Sequence, residues 1–75
     1  MTTRQDVLMA LAKLRLNNGY APSVRELAKE LDLASPSSVH LHLRGLAEMG
    51  YITWIPGLSR TVRLTPAGVL SMVPK

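Results

Sequence analysis

Cysteine is absent from these 75 residues, so no disulfide can staple the fold and no thiolate can bind metal or attack a substrate. That absence also fits a reducing, intracellular setting. Long apolar runs are missing, which excludes a spanning helix, and the N-terminus has no signal-peptide pattern. Internal repeats and low-complexity tracts are missing too. No pair of carboxylates, nucleophile with base, or phosphate loop stands at catalytic spacing. His40 and His42 are two residues apart. On a helix they diverge by roughly 160°, too far to share one ion. The expectation is a non-enzyme with no metal site and no cofactor.

What remains suits one small domain over 1–75, with its core about 3–65 and a short tail at 66–75. Hydrophobic residues make up 47%, which excludes a disordered chain. Nine basic against five acidic residues leave a formal charge of +4, a balance that suits an anionic partner.

The most informative stretch is Ser35 to Gly50. Ser35 can cap a helix and Pro36 fits its first position. Val39, Leu43 and Leu46 recur on one helical face. Gly50 can end the helix in a left-handed conformation. Upstream, Thr2 with Gln5 matches a capping box, though Thr3 could cap as well. Val7, Leu8, Ala10, Leu11 and Leu14 then predict a first helix that ends at Asn17-Asn18-Gly19, leaving Met9 and Leu16 partly exposed. Ser23 with Glu26 is a second capping box. It opens a short helix with Val24, Leu27, Ala28 and Leu31 inward and Arg25, Lys29 and a solvated Glu30 outward. A tight turn with Leu33 as its apolar plug completes a helix-turn-helix. After Gly50 the period changes to two. Ile52 and Trp54 face the core, as do Val62 and Leu64 beyond the Pro56-Gly57 turn, which predicts a β-hairpin. Thr65-Pro66 can start one more helical turn. The fold class is mainly α with a small β-hairpin, a three-helix winged helix-turn-helix.

Gly19-Tyr-Ala-Pro-Ser-Val-Arg-Glu-Leu-Ala-Lys-Glu-Leu31, Ser35-Pro36, His42-Leu43, Leu46, Gly50-Tyr-Ile52, Gly57-Leu-Ser-Arg60 and Arg63-Leu64 form a wider pattern. It resembles the N-terminal DNA-binding domain of the LexA repressor family, over roughly residues 2 to 65. The resemblance implies a repressor that binds operator DNA, with the third helix in the major groove. On that mapping Ser35, Ser37, Ser38, His40 and Leu41 meet bases, and Ser59 and Arg60 at the wing tip approach the backbone or minor groove. Ser37, His40 and Leu41 stand where the family usually has Asn and two acidic residues, which implies a changed operator. Asp32 stands where the family usually has Gly. The family's C-terminal domain, which dimerises and cuts its own chain with a Ser–Lys pair, is not expected within this chain. Ala67-Gly68 shares the family's cleavage dipeptide but reads as a helix-start loop.

Arg44, one turn beyond His40, is expected to meet phosphate, together with Arg60 and Arg63 of the hairpin, Arg25 and Lys29 of the second helix, and Arg4. Leu41 is open to three readings: a partly buried edge residue, a contact to a thymine methyl, or a protein-docking surface. Trp54 is expected in the core rather than as a base-stacking platform, and His42 in a structural role. The expected function is a double-stranded-DNA-binding transcriptional regulator, cytoplasmic and on DNA. It would act as a homodimer or as a fragment of a dimeric parent. Met9, Leu16, Leu41, Leu58 and Val69 to Val73 are the surfaces available for self-contact. The alternative is a winged-helix adaptor or antirepressor that binds another regulator.

Overall fold

The computed structural model describes residues 2–72. Helix α1 spans Arg4–Asn18. Its cap is Thr3, not Thr2: Thr3 Oγ1 accepts the Asp6 N–H, and the Asp6 carboxylate accepts the Thr3 N–H at 3.0 Å. The box thus lies one residue later than Thr2 with Gln5, because aspartate serves the third position as well as glutamine does. Helix α2, Val24–Glu30, starts at the expected Ser23–Glu26 box. Helix α3, Pro36–Glu48, starts at Ser35, whose Oγ accepts the Ser37 N–H.

Two of these helices end in the same motif. After α2, Asp32 N–H donates to Lys29 O and Leu33 N–H to Ala28 O. After α3, Gly50 N–H donates to Ala47 O and Tyr51 N–H to Leu46 O. Both are Schellman ends, which need a left-handed residue after the cap. Gly50 adopts it at φ 78°, and Asp32 adopts it at φ 56°. The turn of the helix-turn-helix therefore rests on an aspartate held in a conformation glycine enters more readily.

The helices pack around Val7, Leu8 and Leu11 of α1, Leu27 and Ala28 of α2, and Val39, Leu43 and Leu46 of α3. Each fully buried leucine stabilises this core by roughly 1.5–3 kcal/mol. Leu33 packs against it from the turn, as its apolar character predicts. Met9 is partly exposed, as expected, and Leu16 is more exposed still, because both lie outside the α1 stripe.

Strands β1, Ile52–Thr53, and β2, Arg63–Leu64, pair antiparallel with Ile52 opposite Leu64 and Thr53 opposite Arg63. The alternation is as expected, with Ile52 and Val62 buried and Thr53, Ile55 and Arg63 exposed. The ladder is shorter than the alternation implies, and residues 54–62 form the wing without strand pairing. Arg60 at φ 59° and Gly57 at φ 90° turn the backbone out of strand geometry. Side chains close the wing instead. Thr61 Oγ1 accepts the Ile55 N–H at 3.1 Å, and its hydroxyl faces the Ile55 and Leu58 carbonyls.

Helix α4, Pro66–Ser71, is capped by Thr65. The Ala67-Gly68 dipeptide lies within this helix, not in a loop before it. Gly68 is buried, and a Cβ there would overlap the Tyr51 carbonyl oxygen. Thr65 Oγ1 donates to Gly50 O at 2.5 Å, and Gln5 Nε2 donates to Ser71 O at 3.3 Å. The segment that follows residue 65 therefore begins as a helix seated on the domain. Val73, named above among self-contact surfaces, lies outside the described residues.

Candidate nucleic-acid interface

The buried stripe of α3 fixes which side chains remain outside. Ser37, His40, Leu41 and Arg44 are exposed, and Ser38 is half-buried. Leu41 is 68% exposed, which removes the reading of a partly buried edge residue. Ser35 and Ser37 are not independent groups. Their hydroxyls lie 2.7 Å apart, so one donates to the other at the start of the helix. His42 is half-buried beside the core leucine that follows it, in keeping with a structural role.

His40 has a neighbour from the hairpin. Its imidazole lies against the Trp54 indole, with ring centroids 5.4 Å apart and planes at 46°. Trp54 is half-buried and packs against the core, as its alternation predicts. His40, Trp54, Arg25 and the wing residues Leu58, Ser59 and Arg60 line one open cleft. Arg25 and Lys29 also line a second groove with Asp32 and Pro36, beside the start of α3. The second helix thus brings two exposed cations to the N-terminal half of α3.

Three of the expected cations are placed differently. Arg63 on β2 lines a separate groove with Leu11 and Arg15 of α1, away from the His40 cleft. Arg4 lies across α3 at Gly45, where a Cβ would overlap its guanidinium. Arg60 is the more informative case. Its Nη1 donates to Glu26 Oε1 at 2.6 Å and to the Ala21 carbonyl at 3.1 Å. Its guanidinium carbon sits 4.7 Å from the Tyr20 ring centroid. This side chain clasps the wing to the connection between α1 and α2. The Ser23 N–H and then the Arg60 guanidinium hold the Glu26 carboxyl below the ordinary 4.5. Glu30, expected to be solvated, pairs with Lys13 at 3.2 Å on the surface, where such pairs contribute little. The Arg60–Glu26–Tyr20 cluster and the His40–Trp54 pair were not legible in the chain. Their members are too far apart in sequence for any local spacing to report them.

A helix-turn-helix, an exposed polar face on its second helix and a wing beside that face form one surface. The LexA DNA binding domain model matches residues 1–61 of this chain. The chain belongs to the LexA DNA-binding domain family. Among its relatives, a LexA repressor of Desulfatibacillum aliphaticivorans is 38% identical over 77 residues, covering 99% of this chain and 38% of that protein. A LexA repressor of Pseudomonas chlororaphis is 42% identical over 65 residues, covering 85% of this chain and 32% of its own length. One from Lactiplantibacillus plantarum is 39% identical over 67 residues, covering 88% of this chain and 32% of its own. The chain therefore spans between 32% and 38% of the length of these LexA repressors. Among the described residues no helix is long and apolar enough to cross a membrane.

Proposed function

We propose that this chain binds double-stranded DNA in a sequence-specific way and acts as a transcriptional repressor. The carrying observation is the division of α3. Val39, Leu43 and Leu46 lock one face into the core, while Ser37, His40, Leu41 and Arg44 stay outside on the other. In this proposal α3 enters the major groove, and those four side chains with Ser35 and Ser38 meet bases or the adjoining phosphates. Ser59 approaches the backbone or minor groove from the wing. Arg25, Lys29 and Arg44 anchor phosphates. Arg60 contributes chiefly by holding the wing, and Arg63 reaches the backbone only at the edge of the footprint. Membership of the LexA DNA-binding domain family supports this reading.

A single module of this size makes few contacts, so tight binding calls for two copies on a two-fold operator. The chain would dimerise on DNA, or be held as a dimer by further sequence in a longer parent.

Selection of bound duplexes from a random pool, followed by a salt titration, tests the proposal. A selected sequence with inverted half-sites is expected. Affinity should fall with salt by about one logarithmic unit of slope for each phosphate-bound cation. No binding to any duplex at low salt would refute it.

A further inference from the structure

The indole of Trp54 lies outside α3, yet it touches the largest polar group that α3 exposes near its start. We propose that Trp54 is a positioning residue for base recognition: it holds the His40 imidazole in the orientation that reads the operator. The proposal rests on α3 being the reading helix.

Three observations carry it. An exposed histidine ordinarily samples several rotamers, and an ordered reader must lose that freedom on binding. Here the imidazole lies against an indole with centroids 5.4 Å apart and planes at 46°, a tilted arrangement favoured between aromatic rings. The indole is itself fixed, because Trp54 is half-buried and packs on the core next to β1. The Ser35 and Ser37 hydroxyls at the start of the helix already bond to each other, which leaves the imidazole as the largest exposed polar group there. Trp54 preorganises it. The wing thereby acts on sequence preference without contacting a base through the indole.

The test compares Trp54→Leu, Trp54→Phe, His40→Ala and the double variant Trp54→Leu/His40→Ala. Each is measured against the duplex selected by the wild-type chain and against all single-base changes in it. His40→Ala should flatten the preference at one base pair by about 5- to 10-fold, the worth of one hydrogen bond. Trp54→Leu should lose about 3- to 10-fold of preference at that same base pair, and leave affinity for unrelated duplex unchanged. The double variant should lose no more than His40→Ala alone, and Trp54→Phe, which keeps a ring, should restore part of the preference. Losses that multiply in the double variant, or a Trp54→Leu loss shared equally by all duplexes, would overturn the proposal.

A DNA-free readout separates it from the binding assignment. In the isolated chain, the indole ring current should displace the His40 ring resonances, and Trp54→Phe should shift them. Unmoved resonances overturn the positioning role even if DNA binds. Displaced resonances in a chain that binds no duplex overturn the reading function instead, and recognition through Trp54 with it.

Discussion

The two Schellman ends make a reciprocal experiment inside one domain. Asp32 occupies a left-handed position at φ 56°, and Gly50 occupies the equivalent one at φ 78°. An L-residue in this conformation costs about 1–2 kcal/mol. Glycine escapes that cost but loses about 0.5–1 kcal/mol more chain entropy on folding. At the middle of these ranges the difference favours glycine at position 32 by about 0.75 kcal/mol. Among the described residues no hydrogen bond or ion pair of the Asp32 side chain opposes the change, and the residue is exposed. Asp32→Gly should therefore raise Tm by about 3–6 °C for a domain of this size. Gly50→Asp should lower stability by a similar amount. A Cβ at position 50 meets nothing within 4 Å, so its cost is confined to the backbone. The sites are separate turns, and the double variant should return to the wild-type value within about 0.5 kcal/mol. Urea titration followed by Trp54 fluorescence gives the midpoints, with an unchanged slope expected for all four proteins. An Asp32→Gly chain no more stable than wild type, or a Gly50→Asp chain as stable as wild type, would refute the conformational account.

Three further outcomes follow from the packing and the charges. Gly68→Ala should destabilise by about 1–3 kcal/mol, since its methyl group must displace α4 from the Tyr51 carbonyl; thermal melting by circular dichroism reads this. Glu26 is lowered below the ordinary 4.5, so its contribution to stability is present above that value and is lost as pH falls below it. Urea midpoints from pH 6 down to about 3 should fall more steeply for wild type than for Glu26→Gln, and parallel profiles would disprove the link. Ser38→Glu places a negative charge against the groove and should abolish specific binding while leaving the circular dichroism spectrum unchanged; retained affinity for the selected duplex would exclude the docking proposed for α3.

Local chemistry made the helices readable. Ser23 with Glu26, Ser35 with Pro36, and Gly50 announce ends whose hydrogen bonds are satisfied within a few residues. The cap at Thr3 was ambiguous because two threonines stand together and either glutamine or aspartate can close the box. Alternation from Ile52 and from Val62 identified the buried face of the hairpin correctly. It could not give the extent of pairing, which ends where Arg60 and Gly57 take positive φ. The exposed side chains of α3 were legible because the core stripe dictates what stays outside. Their partners were not. Arg60 reaches Glu26 across 34 residues and the Ala21 carbonyl across 39, and no periodicity reports a contact of that span.

The wing's clasp has a consequence for how this domain is made. Two paired residues per strand offer too little backbone bonding for a hairpin to persist by itself. Arg60 is held by Glu26 and Tyr20 at the connection between α1 and α2, and Trp54 packs on the core that the helices build. During synthesis the helices emerge first and can associate through local contacts, while the wing waits for a finished platform. A nascent or nicked chain lacking residues 54–60 would still carry α3, without the clasp and without the indole beside His40. The surface proposed for recognition is thus completed last, when the wing closes onto the connection between α1 and α2.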